Sequence, residues 1–277
     1  MDSKNRLPSS CPYIVVPTYN EVTNVERLVK GISEIGIALR ILFVDDSSPD
    51  GTAIEVRRLA DLGYPVELLL RPEKSGLGSA YRDGFSAALS RGATAVIEMD
   101  ADMSHSPSTI RLFLDELDLG PGLVIGSRYV RGGSSPGLSP LRLVISRLGN
   151  WYAAKMLMLP IKDSTSGFRA FNAEMLRRID FSTVRADGYG FQIEMAYLVT
   201  RTGSKVSEIA IAFQPRYSGS SKMSGKIIRE AMILCTVMGL RDRLQIIEKK
   251  LDSAGQRNRI PDHLVVPFIA DVESIGE

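Results

Sequence analysis

The sequence predicts an α/β fold with a mostly parallel central sheet flanked by helices. Three observations carry that reading. Short runs rich in Val, Ile and Leu recur through the first half, each apolar enough for a strand buried on both faces. Segments with helical apolar spacing separate them, as right-handed crossovers between parallel strands require. Each run then ends in polar or acidic residues, and ligands of such sheets bind outside the carboxyl ends of the strands.

The elements follow in order. Residues 13–17 read as the first strand, and Val22, Val25, Leu28, Val29 and Ile32 form the stripe of a helix that Thr23 and Glu26 would open as a capping box. Residues 40–44 are the second strand, ending in Asp45-Asp46, and residues 52–62 the second helix, capped by Thr52. A third strand spans 66–70, a loop and helix 76–91, and a fourth strand 95–99 runs into Asp100. Ser106-Pro107 would start another helix, and 123–126 is a fifth strand followed by Ser127-Arg128. The second half is less regular. Ser139-Pro140 opens a long helix to about residue 159, residues 163–171 read as a polar turn-rich stretch, and 188–202 is a helix. Residues 206–213 alternate as a strand. The expected organisation is a mobile N-terminus (1–11), a catalytic domain (12–225), an amphipathic C-terminal helix (226–244) and a tail (245–277).

The chain of 277 residues can bury a full core, and its formal net charge of +2 gives no reason to expect nucleic acid as a partner. Cys11 and Cys235 are the only cysteines, without metal spacing, and read as unpaired thiols in a reducing compartment. Residues 1–10 lack a hydrophobic signal core, and no run reaches the ~18 apolar residues needed to cross a bilayer. A cytoplasmic protein, peripheral on the cytoplasmic face of a membrane, is expected.

Four strand ends converge on one rim: Thr18, Tyr19, Asn20 and Glu21; Asp45 and Asp46; Asp100 and Asp102; Ser127 and Arg128. In Asp100-Ala101-Asp102 an extended backbone points both carboxylates to one side, where they could meet one Mg2+ or Mn2+ together with substrate phosphates. His105 reads as a supporting residue, because an oxygen-rich site of that kind needs no imidazole. Two adjacent carboxylates at Asp45-Asp46 are costly to crowd unless hydroxyls, amides or a base meet them, and a nucleoside would do so. Gly76-Leu77-Gly78 superficially suggests a dinucleotide loop, but the third glycine is absent and the preceding strand is not the first, which excludes a Rossmann dehydrogenase.

Charge is segregated. No acidic residue lies between Asp118 and Asp163, where Arg128, Arg131, Arg142, Arg147, Lys155 and Lys162 occur. The same holds between Glu208 and Glu230, with Arg216, Lys222, Lys226 and Arg229. Arg142 and Arg147 sit among Leu141, Leu143, Val144, Ile145, Leu148 and Trp151, a basic amphipathic pattern suited to a membrane interface. An acidic rim for a metal and basic segments for anions fit two phosphorylated substrates, one of them lipidic.

With these residues in hand, the sequence closely resembles the dolichol- or polyprenol-phosphate mannose synthases, inverting family-2 glycosyltransferases of the GT-A fold. The resemblance spans about residues 12–244 and rests on the order and spacing of several motifs. They are Pro17-Thr18-Tyr19-Asn20-Glu21, Asp45-Asp46-Ser47-Ser48-Pro49-Asp50-Gly51-Thr52 and Gly76-Leu77-Gly78-Ser79-Ala80-Tyr81. Asp100-Ala101-Asp102-Met103-Ser104-His105, Gly126-Ser127-Arg128-Tyr129 and Thr165-Ser166-Gly167-Phe168-Arg169 complete the set.

That resemblance implies mannose transfer from GDP-mannose to a polyprenyl monophosphate, with Mg2+ or Mn2+ as cofactor. It implies nucleotide contacts at Pro17, Tyr19, Glu21, Val44 and Asp46, and metal and diphosphate contacts at Asp100 and Asp102 with the Ala101 backbone nearby. Arg128, Arg142 and Ser146 would face the phosphates, the acceptor's above all, while Arg216 and Lys222 would close a loop over them. The family often carries Gln where this chain has Ser104, whose shorter side chain would reach a metal through water. Some relatives end in transmembrane helices; here the membrane would be reached through amphipathic helices or a membrane-anchoring partner protein. The nearest alternatives are glucosyl transfer from UDP-glucose to the same lipid and a non-catalytic nucleotide-sugar binding relative.

Overall fold

The structure, a computed structural model, describes residues 11–136, 138–214 and 225–253. The chain runs β1 (Tyr13–Thr18), α1 (Val22–Ser33), β2 (Arg40–Asp45), α2 (Thr52–Asp61), β3 (Val66–Leu70), α3 (Leu77–Ser90), β4 (Ala95–Glu98), α4 (Thr109–Leu117) and β5 (Leu123–Ser127). Then follow α5 (Pro140–Leu157), β6 (Arg169–Asn172), α6 (Ala173–Leu176), α7 (Gly188–Arg201), β7 (Val206–Ala210) and α8 (Gly225–Ser253). The strands form one seven-stranded sheet in the order β3-β2-β1-β4-β6-β5-β7.

The sheet is buried on both faces, and the two-residue period of its strands divides the core. Tyr13 and Val15 of β1 join Tyr81, Phe85 and Phe191 on one side, while Ile14 and Val16 join Val25, Leu28 and Phe113 on the other. The helices α3 and α7 cover the first face and α1, α2 and α4 the second, a three-layer arrangement. Gly84 lets α3 approach closely: a Cβ there would lie 2.4 Å from Val15 Cγ1 and 2.9 Å from Val44 Cγ2.

Several expectations change. The end of the stretch 163–171, read as turn, enters strand β6 (Arg169–Asn172), antiparallel to both β4 and β5. Arg169 concealed it, since a charge at the start of an apolar run reads as loop. In the fold the guanidinium is wholly buried and donates to the carbonyls of Ser166, Gln192 and Ser164 at 2.6, 2.6 and 2.5 Å. The capping box at Thr23 does not form, because α1 already begins at Val22. The following loop meets the exposed donors instead: Val22 N donates to Asp50 Oδ2 at 3.1 Å and Glu21 N to Thr52 Oγ1 at 3.0 Å. Thr52 is not the cap of α2; Gly51 holds that position at φ 91°, and Asp50 Oδ1 accepts from both Thr52 N and Oγ1. The helix expected from Ser106-Pro107 starts later, at Thr109 after Ser108. The last strand is shorter than its alternation suggested and ends at Ala210. Ser139 does cap α5, accepting from Arg142 N at 3.4 Å with Pro140 in the first turn.

The long helix α8 packs across α5 and α7 and continues past Leu244 to Ser253. Gly239 faces the Met156 carbonyl, Tyr152 shares a 2.6 Å hydrogen bond with Thr236, and Tyr197 donates to Asp242 at 2.6 Å. No helix among the described residues is long and apolar enough to cross a membrane.

Candidate active site

Strand order fixes where a site must lie. From β1 the chain moves outward to β2 and β3, then returns to lay β4 on the other side of β1. The loops leaving β1 and β4 therefore diverge at a topological switch point, and a crevice opens outside their carboxyl ends. A cleft of about 680 Å³ occupies that place. Pro17, Thr18, Tyr19 and Glu21 line it from the β1 end, Asp46 from β2, Asp100, Ala101 and Asp102 from β4, and Arg128 from β5. Its far wall comes from the 165–167 and 186–192 segments and from Glu230, Ala231 and Leu234 of α8.

At one end Asp45 and Asp46 divide their duties. Asp45 is wholly buried and accepts from Thr18 Oγ1, Ser48 N and Ser48 Oγ at 2.9, 2.9 and 2.6 Å, so its work is to fold the loop. Asp46 faces the cleft and is held by Arg71 Nη1 at 2.9 Å. Burial pushes the Asp46 carboxyl above its ordinary value, and the Arg71 charge opposes that rise. Arg71 is itself fixed by Ser79 at 2.7 Å and Asp83 at 3.0 Å. Sequence reasoning missed it, although Arg71 follows the apolar run of β3 and obeys the same strand-end rule as the residues that were found. Two non-glycine residues, Asn20 (φ 62°) and Ser47 (φ 52°), take left-handed backbone beside this end. The Lys74 ammonium lies 4.0 Å from the Tyr19 ring centroid, another cleft feature the sequence left unnoticed.

In the centre, Asp100 and Asp102 project from the turn that leaves β4. Met103 takes φ 63° there, Asp102 Oδ1 accepts from Ser104 N at 3.0 Å, and Asp100 N donates to His105 Nδ1 at 3.3 Å. His105 stacks on Phe168 with centroids 4.5 Å apart, so its ring braces the turn. Among the described residues no cluster of three His, Cys, Asp or Glu converges. Two carboxylates, with the buried Ser104 hydroxyl behind them making no hydrogen bond among the described residues, are an all-oxygen set. Such a set fits a hard cation that takes its remaining ligands from phosphates and water.

Toward the other end stands Arg128. Its Nε and Nη2 donate to Asp163 Oδ2 and Oδ1 at 2.7 and 2.6 Å, and Nη2 also reaches Thr165 Oγ1 at 2.8 Å. Burial alone would lower the basicity of this guanidinium, but the hydrogen bonds and charge of Asp163 reverse that and raise it. Asp163 is in turn positioned by Glu208, which accepts from the backbone N–H groups of Lys162 and Asp163 at 2.8 and 2.9 Å. Asn150 ties the same loop to α5, its Oδ1 accepting from Ser164 N and Oγ and from Thr165 N.

The remaining expected residues lie elsewhere. Val44 is wholly buried, its side chain packed over Gly84, and it does not line the cleft. Ser146 accepts from Tyr129 OH at 2.6 Å. Arg142 is exposed on α5 and outside the cleft lining. Arg216 and Lys222 lie outside the described residues.

Known proteins place the chain in a family. Residues 13–180 match the family described as "Glycosyl transferase family 2". The chain belongs to that family. Among relatives of this transferase, the polyprenol monophosphomannose synthase of Mycolicibacterium smegmatis is 42% identical over 239 residues, covering 86% of this chain and 90% of the relative. The undecaprenyl-phosphate mannosyltransferase of Micrococcus luteus is 38% identical over 86% of this chain and 97% of the relative. The dolichol-phosphate mannosyltransferase of Pyrococcus furiosus is 34% identical over 78% of this chain, which spans 60% of that longer protein. Solved structures share the fold of the transferase. A mannosyltransferase from Pyrobaculum calidifontis in complex with GDP-Man and Mn2+ aligns with TM-score 0.55 at 20% identity, over 95% of this chain and 74% of the other. The glucosyl-3-phosphoglycerate synthase of Mycobacterium tuberculosis with Mn2+, UDP and phosphoglyceric acid aligns with TM-score 0.60 at 18% identity, over 83% and 78%.

Proposed function

We propose that this transferase moves mannose from GDP-mannose to a polyprenyl (dolichyl-type) monophosphate, inverting the anomeric carbon. One observation carries the reading: a single cleft is lined by Asp46, held from behind the lining by Arg71, at one end, by Asp100 and Asp102 at its centre, and by Arg128 toward the other. A nucleoside, a metal-bound diphosphate and a second phosphate would use those three stations in that order. The names of the relatives, each a mannose transferase or synthase for a polyprenol-type lipid phosphate, support the same substrates.

Pro17, Tyr19, Glu21 and Asp46 would contact the guanosine, with Val44 limited to its main chain because its side chain is committed to the core. Asp100 and Asp102, with the Ala101 backbone beside them, would hold Mg2+ or Mn2+, and Ser104 would act through water. Arg128 would bind the acceptor phosphate, with Arg142, Ser146, Arg216 and Lys222 as further anion contacts. A divalent cation bound there would neutralise charge developing on the departing diphosphate.

The acceptor is a phosphate monoester with a second pKa near ~6, so its oxygen is anionic at neutral pH and needs no general base. That oxygen forms the new bond to the anomeric carbon while the bond to GDP breaks and its electron pair leaves with the diphosphate. What the protein must do is bring two anions into line, and the Asp163-locked guanidinium of Arg128 is preorganised for that task.

The lipid would be met at a cytoplasmic membrane face. On α5, Leu141, Val144, Leu148 and Trp151 are 70%, 52%, 60% and 61% exposed, one helical stripe turned outward instead of into the core. Arg142 and Arg147 border it, a combination that suits an anionic lipid surface. A membrane-anchoring partner protein would occupy the same side.

The decisive experiment supplies purified protein with radiolabelled GDP-mannose or UDP-glucose, a polyprenyl phosphate, and Mg2+, Mn2+ or chelator. Lipid-extractable mannose that disappears with chelator is expected. Glucose transfer without mannose transfer, or an Asp100→Ala variant as active as the parent at saturating metal, overturns the proposal.

A further inference from the structure

Gly167 and Gln192 stand beside Asp100 without a place in the chemistry above. Gly167 is a glycine that neither backbone nor packing requires. Its φ is not in the left-handed region, and a Cβ built on it would meet nothing closer than Gln192 Nε2 at 3.8 Å and Asp100 Oδ2 at 4.0 Å, ordinary contact distances. Gly76, Gly78 and Gly84 differ, since a Cβ on any of them collides with neighbouring protein atoms. What a methyl group on Gly167 would occupy is space in the cleft, between a carboxamide and a carboxylate.

Gln192 supplies a second, independent observation. It lies on α7, is 3% exposed and lines the cleft. Its backbone carbonyl is fixed by Arg169 Nη1 at 2.6 Å, so the residue is held firmly. Its side chain lies beside the Glu98 carboxyl, yet neither Glu98 oxygen nor Gln192 Oε1 makes a hydrogen bond of normal geometry among the described residues. A buried carboxamide left incompletely paired at a cleft wall is an unusual expense for a protein unless a ligand completes it.

We infer that Gly167 and Gln192, with Asp100, form the subsite for the donor's hexose: Gly167 leaves room for the ring, and the Gln192 carboxamide hydrogen-bonds a ring hydroxyl. The inference rests on the proposed use of a nucleotide-sugar donor and adds the residues that recognise its sugar. The position suits that role, because the hexose must lie between the diphosphate at Asp100 and Asp102 and the acceptor phosphate at Arg128. Recognition through a carboxamide is directional, so it would also distinguish hexoses that differ in one hydroxyl configuration.

The test separates the sugar from the nucleotide. Affinities for GDP and for GDP-mannose, both with Mn2+, are measured by calorimetry for the parent, Gly167→Ala and Gln192→Met, alongside transfer kinetics with GDP-mannose. Gly167→Ala is expected to melt at the parental temperature or slightly above it and to bind GDP within about twofold of the parent, while binding GDP-mannose about tenfold more weakly. Gln192→Met is expected to retain GDP affinity and lose about tenfold or more in kcat/KM, with mannose-over-glucose preference reduced. Should Gln192→Met melt early, Gln192→Asn, which keeps a neutral carboxamide but shortens its reach, serves in its place, with GDP affinity as its control. Equal weakening of GDP and GDP-mannose, or unchanged GDP-mannose affinity in both variants, overturns the subsite. Failure of the parent to transfer mannose to lipid overturns the proposed function alone, since the binding difference is read without acceptor.

Discussion

Asp163 grips Arg128 three times, accepting from Nε at 2.7 Å, from Nη2 at 2.6 Å and from the Arg128 backbone N–H at 2.9 Å. The carboxylate is wholly buried and the guanidinium nearly so. This is a bidentate pair in a place of low dielectric, where its orientation is worth more than its net contribution to stability. It aims one edge of Arg128 while leaving Nη1, which makes no hydrogen bond among the described residues, for an anion.

Asp163→Ala leaves that guanidinium buried without its partner. A destabilisation of about 3–5 kcal/mol is expected, visible as a lowered Tm. Arg128→Lys keeps charge but loses the fork, so transfer should fall about a hundredfold while the fold survives. Steady-state kinetics with thermal melts of both variants check the pair.

Removing the metal should abolish transfer and weaken GDP binding together. Asp102→Asn is expected to reproduce the chelator's effect in part, because an amide is a poorer ligand for a hard cation. Titrating Mn2+ into the parent and the variant, with GDP present and absent, reads this directly.

Gly84→Ala drives a methyl group against Val15 and Val44 at the centre of the sheet. Overpacking of this sort costs about 1–3 kcal/mol. A urea midpoint shifted downward without a change in slope is the expected result.

Both thiols are buried, and burial pushes Cys235 up to about 11 and Cys11 above its ordinary value. A thiol whose folded pKa is raised keeps its proton while the unfolded thiol loses it, so the stability linked to it falls as pH climbs from the unfolded value to the raised one. For Cys235 the loss runs from pH 9.0, the ordinary thiol value, to about 11, above working conditions. Neither thiol should react with a disulfide reagent at pH 8 in the native protein, and both should react at once in denaturant.

Leu148→Asp with Trp151→Asp puts charge on the exposed stripe of α5, at side chains 60% and 61% exposed. Co-sedimentation with anionic vesicles should fall at least about tenfold, while activity toward a short, water-soluble acceptor stays at the parental level.

The fold class and the strand ends that line the cleft, Asp100 and Asp102 among them, were legible in the sequence. Those features are local: a two-residue or helical period, an apolar run and the polar residue that ends it are written within a dozen neighbouring positions. Tertiary structure decided the rest. It turned a polar stretch into β6, buried Arg169 opposite Glu98, and brought Asp163 to Arg128 across 35 positions of chain. It also assigned Asp45 to the loop and Asp46 to the cleft, recruited Arg71 from β3, and placed Gly167 and Gln192 beside Asp100. None of these pairings has a period or a spacing, because each depends on how distant segments pack once the sheet has formed. A sequence carries the partners of such contacts, but only the packed core determines which of them meet.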